Sequence, residues 1–235
     1  MEMLLSEPSV FYNLLEEEEE TSKRIKNYED FQPEFKPYHR KVLLSWMHDI
    51  VETENYATEI FLLSVHYLDA FLSTQVIPKS QFQLTAACCL LLASKYLATD
   101  GISGSLLVYY TADSITLHQL LAWEWQVLKS LQWRLEFPTS LTFIHHMVPR
   151  IACVSSLNNE VLAGIVEKVK ELAMLAACHY DLLLAPRSLI ACACLQIACK
   201  SKNIGNGRQL FMEMKTLFHF PLEITQYTLA IESLS

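Results

Sequence analysis

"QLTAACCLLLASK", residues Gln83 to Lys95, is apolar or small at nearly every position and ends in a lysine. Its inner stretch, Leu84 to Ala93, contains one polar residue, Thr85. The helix it predicts therefore has no face suited to water and belongs in the middle of a bundle. The pattern returns 105 residues later as "SLIACACLQIACK", Ser188 to Lys200, which aligns without a gap. Leu84, Ala86, Cys89, Leu90, Ala93 and Lys95 meet Leu189, Ala191, Cys194, Leu195, Ala198 and Lys200 in register. That offset far exceeds the roughly 20–50 residues of a solenoid repeat. It reads as two copies of a helical domain, each built round one buried helix. The lysine closing each copy has two readings. Its stem can snorkel to water at a helix C-terminus, where the macrodipole favours a cation. Alternatively, the charge is held on the surface as half of a docking pair.

Composition narrows the class. The chain has 235 residues, enough for one large domain or two of ordinary size. Hydrophobic residues make up 51 %, too many for a disordered chain, and only five glycines argue against a turn-rich β fold. A formal charge of −8 leaves no electrostatic footprint for nucleic acid or an anionic membrane. The longest apolar run, 84–93, is well short of the roughly 20 residues of a spanning helix. "MEMLLSEPSV" lacks the basic start of a signal peptide, so the expectation is a soluble intracellular protein. Of the seven cysteines all but Cys153 fall in apolar helical patterns, which reads as reduced thiols used as small hydrophobes. Cys178 and His179 are neighbours that point apart on a helix, and no metal-ligand spacing occurs; no cofactor is expected.

The periodicity places the elements. Val10, Phe11, Leu14 and Leu15 predict a short amphipathic helix that runs into the acidic tract Glu16–Glu20, and residues 21–37 read as a polar connector. Val42, Leu43, Trp46, Ile50 and Val51 predict a helix starting near His39. A second spans 58–72, with Phe61, Val65, Leu68 and Leu72 on one face, and a third spans 80–97. "GISGS", 101–105, breaks the chain before helices over 106–111 and 117–131. A short helix and linker between 138 and 159, then helices over 160–178, 187–200, 209–218 and 222–234, complete the reading.

Four motifs stand in order along the first half: "HRKVLLSWMHDIVE" (39–52), "YLDAFL" (67–72), "ASKY" (93–96) and "WEWQVLKSLQW" (123–133). Together they resemble the cyclin family, D-type in spacing. "FYNLLEEE" (11–18), the compact length and the absence of an LxCxE motif are most similar to a gammaherpesvirus cyclin. The resemblance implies an all-α fold of two tandem five-helix cyclin-box domains with an additional N-terminal helix. The expected organisation is 1–38 for the N-terminal helix, acidic run and connector, 39–137 for the first box and 138–235 for the second.

The resemblance also implies a function without catalysis: heterodimeric, allosteric activation of a cyclin-dependent protein kinase that promotes cell-cycle progression, in nucleus and cytoplasm. Lys95 and Glu124 match the family's kinase-contacting lysine and glutamate. Three ammonium donors and a carboxylate acceptor can bond the backbone of a docking segment, and the pair is nearly neutral overall. Tyr96, Leu128 and Trp133 match apolar positions that pack on the kinase's movable helix, and Phe11 and Leu14 match a further contact by position alone. Arg40 and Asp69 match a buried structural ion pair. Val42, Leu43, Trp46 and Asp49, with Phe82 and Gln83, match a groove for substrates or inhibitors bearing an Arg-x-Leu motif. His39 and Phe82 depart from the methionine and leucine often found there. The alternative is a cyclin-fold adaptor or transcription-factor-like module without kinase activation. A DNA-gripping module needs a basic surface, against which 18 Lys+Arg and 26 Asp+Glu count. An enzyme fits least, because no phosphate-cradling glycine loop and no nucleophile–base set is present.

Overall fold

The computed structural model describes residues 8–28, 32–155, 158–201 and 224–234. Among them are ten α-helices and no strand. In chain order they are α1 (Pro8–Ser22), α2 (Pro37–Thr53), α3 (Thr58–Leu72), α4 (Phe82–Leu97), α5 (Gly104–Tyr110), α6 (Leu117–Ser130), α7 (Ser140–Ser155), α8 (Asn159–Cys178), α9 (Arg187–Ser201) and α10 (Ile224–Glu232). The helix expected over 209–218 lies outside the described residues. The chain divides into two compact units. One comprises 23–137 with 177–184, and the other comprises 1–22, 138–176 and 185–235.

The first of these units is built round α4. Phe82 and every residue from Leu84 to Ser94 are buried, as an all-round apolar helix demands. Helices α2, α3 and α6 pack on it. Thr85, the polar exception, is satisfied: its hydroxyl donates to the Gln81 carbonyl (2.8 Å) and accepts the Trp123 indole N–H (3.1 Å). The sequence predicts one apolar face for α3, yet Ile60 through Leu72 are all buried. The reason is the segment before α2. Read as a polar connector, it buries Ile25, Tyr28, Gln32 and Phe35 instead. The Gln32 amide donates to the carbonyls of Leu72 (2.8 Å) and Gln75 (2.6 Å), so this segment covers the side of α3 that the pattern left wet.

Arg40 and Asp69 join α2 to α3. The guanidinium Nε donates to Oδ1 at 2.9 Å and Nη2 to Oδ2 at 2.8 Å, a two-pronged pair with side chains 1 % and 0 % exposed. Arg40 Nη1 also donates to the Cys178 carbonyl (3.3 Å), and the Tyr28 hydroxyl donates to Asp69 Oδ1 (3.0 Å). Burial alone would lower the Arg40 pKa, but the Asp69 charge and hydrogen bonds outweigh it and the net direction is upward. Each nitrogen of the guanidinium and each oxygen of the carboxylate is engaged at least once, which is what makes two buried charges tolerable.

The second unit repeats the plan. All of Ser188–Cys199 is buried except Gln196, whose Oε1 accepts the Thr228 hydroxyl of α10 at 3.0 Å. Helices α7 and α10 pack on α9, and α1 packs on α7 and α9. Phe11 inserts edge-on against Phe143, ring centroids 5.8 Å apart. Glu18, also buried, reaches the head of α9. Its Oε1 accepts the Ser188 backbone N–H (2.8 Å) and its Oε2 the Ser188 hydroxyl (2.5 Å). A carboxylate there satisfies an orphan helical donor and suits the positive end of the dipole. The thiols of both central helices are packing groups. Burial pushes Cys194 up to about 12 and Cys199 to about 11.

Arg40→Ala strands a buried carboxylate, so it is expected to cost roughly 3–5 kcal/mol in denaturant unfolding; a loss under about 1 kcal/mol would show that the pair does not hold α2 to α3. Burial also raises the Glu18 pKa, against the opposing hydrogen bonds from Ser188. A raised folded-state pKa means a stabilising contribution that is full below the unfolded value of about 4.3 and is lost as pH rises through the raised one. Unfolding profiles between those limits should therefore fall with pH more steeply in the parent chain than in Glu18→Gln. Parallel profiles would count against the assignment.

Candidate functional site

Lys95 is the first exposed residue at the end of α4, immediately after the buried run. The chain turns away from it sharply. The Ser94 hydroxyl accepts the Ile102 N–H at 3.0 Å, and Gly101 lies so close that an added Cβ would stand 3.2 Å from the Lys95 backbone nitrogen. Such a close approach accounts for glycine here. The Lys95 backbone is thus fixed while its ammonium, 49 % exposed, reaches Glu124 Oε1 on α6 at 2.6 Å. The Glu124 side chain is 17 % exposed, so the carboxylate is the sheltered partner.

Helix α6 begins in a capping box, with the Thr116 hydroxyl accepting the Gln119 N–H and the Gln119 amide oxygen accepting the Thr116 N–H. Leu120, Val127 and Leu131 are buried. On one flank of that stripe lie Leu117, Leu121, Trp125 and half-buried Leu128, spaced to share a face with Glu124. Tyr96 and Leu97 continue the apolar surface from α4. Beyond α6, Gln132 and Trp133 take positive φ values of 55° and 60°. That conformation is costly for a bulky side chain. It seats the Trp133 ring edge-on to Trp125 with centroids 5.5 Å apart, although the two are 59 % and 57 % exposed. An ion pair ringed by large exposed apolar groups is a surface suited to another protein.

The structure brings Lys95, Glu124, Tyr96, Leu128 and Trp133 to one region of one unit. Leu97, Leu117, Leu121 and Trp125 belong with them and escaped the sequence reading. Their signal was the 117/121/125 spacing beside Glu124, which periodicity alone assigns to a core face as readily as to an interface. Phe11 needs correction: at 3 % exposure it is a core residue of its own unit, and Leu14 is half-buried. The groove expectation needs a similar correction. Val42, Asp49 and half-buried Trp46 share a stripe of α2, with the Trp46 indole donating to the Tyr110 carbonyl (3.2 Å). Leu43 is turned inward by about 100° from Val42 and is buried. Phe82 is buried as well, against Phe35 at 4.7 Å, because the aromatic ring fills the core from the head of α4. Gln83 is half-buried, and its amide oxygen accepts the Ser114 hydroxyl at 3.4 Å. Among the described residues no group of His, Cys, Asp and Glu side chains is arranged to hold a metal ion.

The second unit holds a counterpart ion pair. Lys200, in register with Lys95, meets Glu232 of α10 at 2.9 Å. Its surroundings differ: of the large apolar side chains described on α10, only Leu229 is strongly exposed.

The family profile "Cyclin, N-terminal domain" matches residues 9–136. The G1/S-specific cyclin-D1 of Xenopus laevis is 31 % identical over 210 residues, covering 89 % of this chain and 71 % of that protein. The G1/S-specific cyclin-D of Caenorhabditis elegans is 31 % identical over 166 residues, 71 % of this chain but only 41 % of that protein. The X-ray structure of a viral cyclin from herpesvirus saimiri superposes with a TM-score of 0.82 at 22 % identity, covering 96 % of each chain.

Since the Lys95 ammonium is half exposed and water screens the pair, Glu124→Ala should cost no more than about 1 kcal/mol of folding stability. Urea unfolding checks this, and a loss of several kcal/mol would make the pair a structural element.

Proposed function

The chain belongs to the cyclin family, and we propose that it is the regulatory, non-catalytic subunit of a cyclin-dependent protein kinase. The observation that carries this is the Lys95–Glu124 pair, standing at the surface amid Tyr96, Leu97, Leu121, Trp125 and Trp133. A protein kinase is active when a lysine on its β3 strand pairs with a glutamate on its movable helix and its activation loop is ordered. A rigid partner that binds only the inward position of that helix shifts the equilibrium by its differential affinity. Moving a kinase from 1:99 to 99:1 in favour of the active form takes about 5.5 kcal/mol. The exposed apolar groups supply buried area on docking. The ion pair bonds the backbone of the docked segment, and its near-neutrality limits the desolvation cost. Rigidity follows from α4, which is buried along its length and fixed at its exit by Ser94 and Gly101.

The finer reading is a D-type activity that drives cell-cycle progression in nucleus and cytoplasm, as a viral mimic of the cellular subunit. Substrate recruitment belongs to the α2 stripe of Val42, Trp46 and Asp49 together with Gln83. An apolar ridge with a carboxylate, 72 % exposed, at its end suits a peptide with one leucine and one arginine anchor.

Capture of purified cyclin-dependent kinases on the immobilised chain, followed by a kinase assay, tests both arms. Glu124→Lys should weaken capture at least tenfold while the unfolding midpoint stays put. Trp46→Ala should leave capture intact and slow phosphorylation only of substrates carrying Arg-x-Leu. Unchanged capture by Glu124→Lys would remove the docking assignment. Equal rates on substrates with and without the motif would remove the recruiting one.

A further inference from the structure

Helix α6 has a second flank. Residues advance by about 100° around a helix, so Trp123, Gln126 and Ser130 lie across the buried Leu120–Val127 stripe from Leu121, Trp125 and Leu128. On that far flank, between the C-terminal part of α6 and the segment joining α3 to α4, the structure has an open cavity of about 530 Å³. The size is within the range of sites that enclose a small ligand or a few residues of peptide.

Its chemistry is specific. Exposed Val76 and half-buried Trp123 contribute the apolar surface, over a floor of buried Phe71 and Ile77. Several polar groups are already committed to the protein. The Trp123 indole N–H goes to Thr85, and the hydroxyls of Thr74 and Ser130 bond each other at 2.7 Å. These fix the shape of the cavity and ask nothing of a ligand. Four amides, from Gln75, Gln81, Gln126 and Gln132, also line it. Among the described residues none of these side-chain amides carries a hydrogen bond. Each offers donors and an acceptor, the complement of an extended peptide backbone. Lys129 is the one charged residue in the lining, and its ammonium has no carboxylate partner among the described residues. On a chain of net charge −8, an unpaired cation beside an apolar recess marks a local preference for an anion.

We propose that this cavity is a second docking site, which takes a short extended peptide from another protein presenting one apolar side chain beside an Asp or Glu. The apolar side chain packs on Val76 and Trp123, the glutamine amides bond the peptide backbone, and Lys129 receives the carboxylate. The site's α6 residues Trp123, Gln126 and Ser130 lie across the buried stripe from Leu121 and Leu128, so a peptide held there need not displace a partner from Glu124. The site therefore suits a third component, either a substrate segment or a regulator.

The test pans a phage-displayed random heptapeptide library on the full chain and measures the recovered peptides by fluorescence polarisation. Peptides with an apolar residue adjacent to an acid should emerge. Their affinity should fall at least tenfold on Lys129→Glu, and at least threefold on Gln126→Ala. Replacing the peptide's acid with lysine should restore binding to Lys129→Glu, a rescue that a misfolded variant cannot give. Lys129→Glu should capture kinase as the parent does, so failure here and failure of the kinase reading are separable. If no peptide is recovered, or if all recovered peptides bind Lys129→Glu as tightly as the parent, the proposal is overturned.

Discussion

A guanidinium and a carboxylate sealed from water hold the unit built round α4 to its geometry. Arg40 and Asp69 share two hydrogen bonds, and the Cys178 carbonyl and the Tyr28 hydroxyl add one to each partner. Their pairing fixes α2 against α3 at one register, because a slip of even one turn would leave two buried charges apart. That register in turn shapes the bed in which α4 lies. Lys95 emerges from α4 at a point decided by packing rather than by its own side chain, and the Lys95–Glu124 pair inherits its position from a charge pair in the interior.

Much of this was legible in the chain, for a physical reason. An all-round apolar helix with a terminal lysine has few places to go, and its recurrence after 105 residues announces two units. The Lys95–Glu124 contact followed from a motif resemblance; spacing alone gave no means of pairing α4 with α6. The failures are instructive. Residues 21–37 looked like a connector because Lys, Asn and Pro outnumber the apolar residues. Only tertiary structure shows Ile25, Tyr28 and Phe35 covering α3. The same blindness made α3 amphipathic on paper. Leu43 and Phe82 were placed at a groove because sequence alignment carries no direction, whereas a 100° turn on α2 takes Leu43 into the core. Phe11 sits on a helix with a genuine apolar face, but nothing in an amphipathic pattern says whether its partner is Phe143 or another protein.

The two units show how one plan is put to different ends. Each has a buried central helix that finishes in a lysine, and each lysine finds a glutamate on a later helix of its own unit. Around Lys95 the surface carries two tryptophans, one held in a left-handed backbone conformation that few residues of its size adopt. Around Lys200 the described surface is mostly polar, with Leu229 as the large exposed exception. An ion pair at a helix end is an inexpensive by-product of the architecture. The strained, water-facing aromatics beside one copy are what set its surroundings apart from those of the other.

The interior cysteines give the molecule a built-in clock. Cys88 and Cys89 line α4 in one unit, and Cys192, Cys194 and Cys199 line α9 in the other, all buried, with thiol pKa values pushed upward. An alkylating reagent needs both access and a thiolate, so it can modify these sulfurs only during excursions in which the surrounding helices part. The mass added to each tryptic fragment over time thus reports the opening of each unit separately, with no residue substituted.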